Sequence, residues 1–297
     1  MDGILLINKD RNMTSRDVVN KVCHLLGTKK IGHSGTLDPL ATGVLVLGIN
    51  KGLKIINDIT ALEKEYEAKV TLGISTDTLD IEGTILKEES VDVTEEDIDK
   101  VLESFIGDYD MEVPIYSAIK INGKKLYEYA RNNEEVELPI HKVKVFELNR
   151  ISDITNNKGK LEFYIRCRVS KGTYIRSLIR DIATRLNTVG IMSELKRIKQ
   201  GKFSIEDCYT LKDVEDNNYK LLDIKDCIDI PLIDIDESIL KKVKNGSKLP
   251  NIYSEDRFGF IYNNKLVSIY KKDEKNDQLV KPERVLENWQ KCLFMVV

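Results

Sequence analysis

Apolar residues recur at helical spacing in three parts of the chain. Residues 18–26 carry such a stripe directly after residues 14–17, Thr-Ser-Arg-Asp, which have the composition of a capping box, and Gly27 can end this helix. The stripe repeats at residues 94–106, behind a threonine N-cap, and again at residues 174–186. The pattern therefore predicts three amphipathic helices.

Strict alternation of apolar and polar residues predicts strands elsewhere. The alternation is clearest at residues 161–169, and it also runs from Tyr66 to Ile74, which places Tyr66 at the start of a strand on its inward face. Residues 44–47, Val-Leu-Val-Leu, are typical of a fully buried strand. Helices and strands follow one another without regular β-α-β alternation, so we predict an α+β fold with a mixed sheet.

The length of 297 residues suits one large domain or two unequal ones, and we predict two. The sequence becomes polar and acidic over residues 213–229, which places the boundary near residues 225–232. Beyond it, residues 258–262 and 265–270 flank two asparagines, as expected of a hairpin whose turn residues adopt positive φ. We predict that the C-terminal part is small and β-rich.

Composition excludes several classes of protein. Hydrophobic residues make up 41% and charged residues 32%, as in an ordinary soluble globular protein. The apolar run at residues 4–7 is too short for a signal peptide, and no stretch is long enough to span a bilayer. The cysteines form no C-x-x-C pair and no histidine lies at metal-ligand spacing from another His or Cys, so we predict reduced cytosolic thiols and no metal. The cysteines are Cys23, Cys167, Cys208, Cys227 and Cys292.

The formal net charge of -3 argues against a nucleic-acid-binding protein only if the charge is evenly spread. It is segregated into an acidic run at residues 88–103 and basic runs at residues 196–202 and 241–244. Such segregation permits a local phosphate-binding face on an acidic protein, although each run alone is typical of a solvated surface. Charge by itself does not indicate RNA.

Asp38 lies in a glycine-punctuated loop, residues 32–48, just before the apolar run that we predict as a strand. Gly32, Gly35 and Gly43 permit close backbone approach or positive φ, and Pro39 restricts both its own φ and the conformation of Asp38. A carboxylate held this stiffly suits a catalytic role. The alternative is a tight turn in which Asp38 only closes an Asx-turn.

Four ordered segments carry a family resemblance that favours the catalytic role. They read G-H-S-G-T-L-D-P-L-A-T-G-V-L from Gly32, K-E-Y at 64–66, P-I-Y-S-A-I-K at 114–120 and K-G-T-Y-I-R-S-L at 171–178. Together they resemble the tRNA pseudouridine-55 synthase family, of the TruB type, whose members modify the T-loop uridine. The resemblance implies a catalytic domain with a mixed, mainly antiparallel sheet at residues 1–228, an RNA-clasping insertion at about 108–140, and a small β-rich PUA-like RNA-binding domain at 229–297.

The resemblance assigns chemical roles to three residues. Asp38 falls on the family's catalytic aspartate, which can add to the sugar C1′ or to the uracil ring and later leave. Arg176 falls on the arginine that pairs with this carboxylate, and a guanidinium can fix a carboxylate bidentately. Tyr66 falls on the tyrosine that stacks on the base and lies where C5 is deprotonated. Without the resemblance, Arg176 would be interpreted as a surface arginine at the start of a helix. Tyr66 would be interpreted as an aromatic residue of the core.

Further residues are implied to bind the substrate. Tyr174 resembles a second pocket aromatic, Leu195 an apolar wall of the uracil pocket, and His33 a residue that fills the gap left by a flipped nucleotide. The ordinary alternatives are core packing for Tyr174 and Leu195 and a solvent-facing turn for His33. The implied RNA contacts also include Lys9 and Lys64 and, in the insertion, Tyr116, Lys120 and Arg131. Asp10, Asn12 and Asn132 depart from the family's pattern, but Asn12 tolerates the left-handed conformation.

The resemblance implies an isomerase that converts uridine 55 of tRNA to pseudouridine on a flipped-out nucleotide and needs no cofactor. The implied partner is the T-arm of tRNA. We expect a cytoplasmic monomer that needs no membrane and no obligatory protein partner. Two alternatives remain, namely a non-catalytic RNA-binding or tRNA-folding protein on the same scaffold and a related synthase that acts on another RNA. A P-loop at residues 27–34 is disfavoured, because a histidine stands where the phosphate-binding lysine belongs.

Overall fold

The computed structural model describes residues 1–287, and these form nineteen strands and seven α-helices. The strands are β1 (Gly3–Lys9), β2 (Ile31–His33), β3 (Thr42–Ile49), β4 (Lys64–Leu72), β5 (Ile74–Thr76), β6 (Ile85–Glu88), β7 (Gly107–Glu112), β8 (Lys120–Ile121), β9 (Lys124–Lys125), β10 (Ile140–Arg150), β11 (Thr155–Asn157), β12 (Lys160–Val169), β13 (Gly190–Gln200), β14 (Phe203–Ser204), β15 (Leu232–Asp234), β16 (Leu249–Pro250), β17 (Arg257–Tyr262), β18 (Lys265–Asp273) and β19 (Asn276–Val285). The helices are α1 (Ser15–Leu25), α2 (Ile56–Ala61), α3 (Glu95–Glu103), α4 (Leu126–Arg131), α5 (Ile175–Arg185), α6 (Leu211–Glu215) and α7 (Glu237–Lys244).

A ten-stranded sheet forms the framework of the chain. Its main order is β1-β3-β13-β4-β12-β10-β7, with β2 beside β3, β14 beside β13 and β11 beside β12. Every ladder in it is antiparallel except that between β3 and β13. The predicted α+β class with a mixed, mainly antiparallel sheet is therefore confirmed.

Apolar clusters pack on one face of this sheet along β4, β10, β12 and β13 and on both faces around β1. Helices α3 and α5 pack on the part formed by β4, β10, β12 and β13, and helices α1 and α6 pack on the part formed by β1 to β3. Strand β1 is buried on both sides, since Leu5 and Ile7 face the helices while Ile4 and Leu6 face a third cluster. That third cluster includes Ile269 of the second sheet, so apolar contacts join the two sheets.

The second sheet has five strands in the order β15-β17-β18-β19-β16, and it begins at Leu232. Charged contacts also join it to the first part of the chain. Asp58 of α2 accepts a hydrogen bond from Arg257 of β17 (2.6 Å) and pairs with Arg284 of β19. The predicted hairpin is confirmed, with Asn263 at φ +49° and Asn264 at φ +60° between β17 and β18.

The helix predictions hold, while one strand prediction needs correction. Helices α1 and α3 begin with complete capping boxes at Thr14 and Thr94. The strand predicted to run from Tyr66 to Ile74 instead begins at Lys64 and ends at Leu72. Gly73 adopts φ +91°, which turns the chain, and Ile74 begins β5 in a separate two-stranded sheet. Cys292 and the end of the predicted 229–297 domain lie outside the described residues.

Candidate active site

The loop that carries Asp38 joins β2 to β3, and neighbouring segments hold its backbone. Ser15 Oγ, at the start of α1, accepts a hydrogen bond from the Leu37 amide (2.8 Å) and donates to the Leu37 carbonyl (3.2 Å). The Ala41 amide donates to the Asp38 carbonyl (3.0 Å), which closes the turn after Pro39. The Asp38 side chain is 36% exposed. The loop therefore presents a firmly held carboxylate to an incoming molecule.

Gly43 anchors the far end of this loop on β13. It adopts φ +101°, and a Cβ there would lie 2.2 Å from the carbonyl oxygen of Arg197. The same two residues are partners in the parallel ladder between β3 and β13. Because only glycine fits this approach, the glycine fixes the distance between the Asp38 loop and the strand that carries Leu195 and Arg197.

Arg176, in the first turn of α5, forms an ion pair with Asp38. Its Nε lies 3.0 Å from Asp38 Oδ2, and its side chain is only 6% exposed. Nη1 donates to the Thr78 carbonyl (2.9 Å) and Nη2 donates to the Tyr116 carbonyl (3.1 Å). Charge-assisted hydrogen bonds of this kind are directional. The guanidinium therefore fixes the carboxylate and also joins it to the turn after β5 and to the insertion.

A second carboxylate, which the sequence did not single out, supports this arginine. Asp80 Oδ2 lies 3.7 Å from Nη1 of Arg176, and the Asp80 side chain is 10% exposed. Asp80 Oδ1 accepts hydrogen bonds from Thr78 Oγ1 (2.7 Å) and from the Glu82 amide (3.1 Å). Asp80 thus stabilises the turn that supplies the Thr78 carbonyl. In the sequence, Asp80 is marked only by the polar composition of its turn, and many loops share that composition.

The predicted pocket residues lie in one apolar cluster beside the Asp38 loop. Tyr66 and Leu195 are each 8% exposed, and the half-buried Tyr174 packs against the same cluster, which also contains Leu37. Burial raises the pKa of both phenols, and the negative charge of Asp38 raises each pKa further. Both rings are therefore close enough to feel the carboxylate, and both are neutral phenols at pH 7. The structure brings together Asp38, Arg176, Tyr66, Tyr174 and Leu195.

Arg197 is a second site residue that the sequence did not single out, because it lay within the basic run 196–202. It is 1% exposed and is directly opposite Tyr66 in the β13–β4 ladder. Its Nε donates to the Val44 carbonyl (2.7 Å) and its Nη2 donates to the Gly35 carbonyl (3.2 Å). The basic run 196–202 is therefore not a solvated face along its whole length. Its first five residues belong to β13, and the side chain of Arg197 faces inward.

His33, at the end of β2, is partly buried rather than fully solvent-facing. Its Nδ1 accepts a hydrogen bond from the Gly35 amide (3.3 Å). Burial lowers the pKa of His33, and the positive charges of Arg197 and Arg16 lower it further. The imidazole is therefore neutral at pH 7 and presents an aromatic surface without a charge.

Lys9 and Lys64 do not face the site. Lys9 Nζ donates to three backbone carbonyls, those of Asp10 (2.8 Å), Met13 (2.6 Å) and Pro39 (3.3 Å), and the residue is fully buried. Lys64 Nζ donates to two carbonyls at the end of α2, both at 2.6 Å. Burial lowers the pKa of each ammonium to about 8. Both amines hold backbone in this structure, and their role in RNA binding stays a prediction.

The insertion places its basic and aromatic residues on one small substructure. Tyr116 Oη donates to Asp77 Oδ2 (3.2 Å), while Arg131 lies over the Tyr127 ring, 5.3 Å from its centroid. Lys120 is exposed in β8, which pairs only with β9. The Tyr116 carbonyl accepts a hydrogen bond from Arg176, so the insertion contacts the site through Tyr116.

Two turns bear on the departures from the family pattern. Asn12 adopts φ +65°, so the predicted left-handed turn is present. In the insertion the left-handed residue is Asn133, at φ +52°, while Asn132 has an ordinary negative φ of -94°.

The structure argues against a P-loop at residues 27–34. Residues 31–33 form a strand rather than the helix N-terminus that a P-loop requires. Within residues 1–287, no group of three or more His, Cys, Asp or Glu side chains is arranged to hold a metal ion. Over the same residues, none of the helices has the length and apolarity to traverse a bilayer.

Comparison with known proteins shows matches along nearly the whole chain. Residues 23–175 match the family described as TruB family pseudouridylate synthase (N terminal domain), and residues 176–232 match the tRNA pseudouridylate synthase B C-terminal domain. The tRNA pseudouridine synthase B of Halalkalibacterium halodurans is 40% identical over 98% of this chain and 99% of that protein. The protein of the same name from Geobacillus thermodenitrificans is 42% identical over 84% of this chain and 86% of its own length.

Solved structures share the fold at lower identity. A chain in "Crystal Structure of a Cbf5-Nop10-Gar1 Complex" aligns with a TM-score of 0.71 and 24% identity, over 97% of this chain and 86% of that chain. A chain in "Structure of H/ACA RNP bound to a substrate RNA containing 2'-deoxyuridine" aligns with a TM-score of 0.66 and 24% identity, over 96% of this chain and 84% of that one. At this identity the likeness concerns the fold alone.

Proposed function

This chain belongs to the TruB family of pseudouridylate synthases, and we propose that it converts uridine 55 in the T-loop of tRNA to pseudouridine with Asp38 as the reacting carboxylate. The observation that carries the proposal is the pairing of a partly exposed carboxylate with a buried guanidinium, Arg176, at 3.0 Å. The guanidinium holds the carboxylate in one orientation and leaves it open to an incoming nucleotide, as a reacting group requires.

The reaction moves one glycosidic bond within a single nucleotide. The N1–C1′ bond breaks, the uracil turns within the site, and C5 bonds to C1′. Asp38 either adds to C1′ and is displaced as C5 bonds to C1′, or adds to the uracil ring and leaves after that bond has formed. The new C5–C1′ bond leaves a hydrogen on C5, and a base must remove it. The reaction includes no redox step and transfers no group from another molecule, so the chemistry requires no cofactor.

The residues around Asp38 bind and orient the uracil. Arg176 fixes the carboxylate direction, with Asp80 supporting the turn that holds it. Tyr66 offers its ring to the base and its oxygen to the C5 proton, while Tyr174 and Leu195 close the pocket. The buried apolar surroundings of these side chains exclude water from the reacting base.

We assign RNA binding to three parts of the chain. His33 fills the gap left by the flipped nucleotide, which suits a neutral, partly buried imidazole. The insertion, with Tyr116, Lys120 and Arg131, clasps the T-arm, and Lys9 and Lys64 support the backbone around the pocket. Residues 1–228 form the synthase domain and residues 229–297 a PUA-like domain that contacts RNA. The protein acts in the cytoplasm as a monomer without an obligatory protein partner.

A second candidate function is RNA binding or tRNA folding without chemistry. The insertion favours it, because its aromatic and basic side chains suit RNA whether or not a reaction follows. A guide-dependent synthase on another RNA is a third candidate, since the fold is shared with a chain whose structure title names an H/ACA RNP. The candidates differ in whether the protein alone modifies tRNA.

The test is incubation of an unmodified tRNA transcript with the protein alone, followed by chemical mapping of pseudouridine. We expect modification at position 55 without a guide RNA, and none with Asp38→Asn, which still binds the tRNA. Asp153→Asn, at an exposed aspartate away from the site, is the matched control and retains the wild-type rate. Full turnover by Asp38→Asn would refute the assignment, and binding without any modification would favour the folding function.

A further inference from the structure

The guanidinium of Arg197 is a fully buried positive charge without a carboxylate counterion. Across residues 1–287, none of the Asp or Glu oxygens comes within 4.0 Å of its nitrogens, and its hydrogen-bond acceptors are the carbonyls of Val44 and Gly35. Burying an ionised group without an opposite charge is strongly unfavourable. Two carbonyl dipoles offset only part of that penalty, so the charge should interact with another group at the site.

Tyr66 is the uncharged polar side chain that the guanidinium faces. The two residues are direct partners in the β13–β4 ladder, which brings the phenol and the guanidinium close together. This contact lowers the pKa of Tyr66 and so opposes the rise caused by burial. The positive charge also lowers the pKa of three neighbouring bases from other strands, and it lowers that of one thiol. These groups are Lys9, His33, Lys64 and Cys208.

The other charged or titratable groups that act on Tyr66 do not assist an anion on its oxygen. Asp38 and the buried Cys167, directly opposite Tyr66 on β12, both raise the pKa of Tyr66. Among the groups that act on Tyr66, Arg197 is therefore the one cation that can stabilise a negative charge on Tyr66 Oη. A preorganised cation in a water-excluded site is most effective where charge appears during a reaction.

We propose that Arg197 is a positioning residue that holds the Tyr66 phenol over the uracil and stabilises negative charge on its oxygen while that oxygen takes the C5 proton. The proposal rests on the proposed function, because it concerns one step of that reaction. In this step the C5–H bond breaks and its electron pair forms the C5–C6 double bond. The electron pair of the N1–C6 double bond moves to N1. Tyr66 enters this step as the phenolate, because Oη has released its proton to solvent before the substrate closes the site. Oη then takes the C5 proton and becomes a phenol again, and N1 gains a proton from solvent when the product leaves.

The test uses the full-length protein and tRNA transcripts with either hydrogen or deuterium at uracil C5. Single-turnover rates are compared for the wild type, Arg197→Gln and Arg197→Lys. Removing the charge should slow C5 deprotonation, so we expect Arg197→Gln to react about 10- to 100-fold more slowly. We also expect a larger deuterium isotope effect than in the wild type. The limb of the pH–rate profile in which the rate rises with pH, which reports the ionisation of Tyr66, should move to higher pH. Arg197→Lys keeps the charge and should show smaller changes of the same sign.

The matched control is Arg166→Gln. Arg166 lies on β12 next to Cys167, but its side chain is 54% exposed and pairs with Glu67 at the surface. We expect its rate, isotope effect and pH profile to equal those of the wild type. Circular dichroism and thermal melting confirm that each variant is folded.

The outcomes separate three conclusions. A slower Arg197 variant with a wild-type isotope effect and pH profile would show that Arg197 only supports the fold, and would overturn the proposal. If Arg197→Gln does not fold, the isotope effect and the pH–rate profile of Arg197→Lys test the proposal instead. If the wild type itself forms no pseudouridine, the proposed function fails first. Normal wild-type turnover combined with unchanged readouts in the variants refutes the role of Arg197 alone.

Discussion

Nε of Arg176 lies 3.0 Å from Oδ2 of Asp38, and the arginine is buried while the carboxylate is partly exposed. This asymmetry gives the pair a direction. The guanidinium cannot swing away, because two of its nitrogens hold backbone carbonyls of other segments. The carboxylate is therefore oriented from the protein side and remains open on the side where we propose that the nucleotide binds.

Replacement of Arg176 by lysine should impair turnover more than tRNA binding. A lysine can pair with Asp38 but cannot also donate to the carbonyls of Thr78 and Tyr116. The loss of a charge-assisted hydrogen bond corresponds to about 1.5–3 kcal/mol, so we expect a rate about 10- to 100-fold lower. Single-turnover rates and filter binding measure the two effects. Arg180→Lys, which alters a more exposed ion pair on the same helix, is the control and should change the rate little.

Gly43→Ala should destabilise the protein far more than Gly27→Ala. Both glycines have positive φ, but a Cβ at position 43 meets the Arg197 carbonyl at 2.2 Å, whereas a Cβ at position 27 meets nothing within 4 Å. Left-handed backbone alone disfavours alanine by about 1–2 kcal/mol. We expect a loss near that value for Gly27→Ala and more than about 3 kcal/mol for Gly43→Ala in urea denaturation. Equal losses would mean that strands β3 and β13 separate easily.

His33→Ala should slow modification less than Asp38→Asn does. The imidazole is neutral and accepts a hydrogen bond from the loop backbone, which suits a residue that supports a flipped nucleotide rather than one that reacts. We expect a slower but measurable rate with tRNA and a smaller defect with an RNA whose target uridine is already unstacked. A loss equal to that of Asp38→Asn on both substrates would instead assign His33 a direct chemical role.

Acid should weaken the second sheet through Asp273. Its buried carboxylate lies 2.5 Å from Lys248 Nζ, and the hydrogen bond from this lysine is the main reason why the pKa of Asp273 is lowered from 3.8 to about 2. Between these two values the unfolded chain binds more protons than the folded one, so the stabilisation is complete above pH 3.8 and is lost as the pH falls toward 2. Urea midpoints at about pH 5 and about pH 3 should therefore differ less for Asp273→Asn than for the wild type. Asp277→Asn, at an exposed aspartate of the same hairpin, should behave as the wild type.

The hydrophobic pattern predicted most helices and strands, but it could not predict which way Arg197 points. In β13 the register shifts between Met192 and Glu194 and again between Arg197 and Lys199. Between these two bulges the alternation is regular and puts Arg197 on the inward face beside Leu195. The sequence analysis identified no strand there, however, and arginine is among the residues least often fully buried. Arg197 consequently read as part of a basic surface run.

The candidate site was predicted only as far as its residue types and the family resemblance allowed. Asp38 and Arg176 are far apart in the sequence, and no periodicity brings them together. Asp80 was missed because its importance depends on its distance from Arg176, and a turn composition does not encode that distance. Lys9 resembles a phosphate-binding residue by type, yet its amine is taken up by backbone carbonyls, which leave no mark in the sequence.

The hydrogen bond from Arg176 to the Tyr116 carbonyl links the insertion to the carboxylate that Arg176 holds, which is that of Asp38. Any motion of the insertion that removes this carbonyl leaves a donor of the buried guanidinium unsatisfied, which disfavours that motion unless the ligand compensates. Under the proposed function, docking of the nucleic acid on the insertion and alignment of Asp38 are therefore thermodynamically coupled, and the coupling is reciprocal. A substrate that engages the insertion correctly favours the reactive geometry, whereas one that displaces it disturbs the carboxylate before any bond is broken.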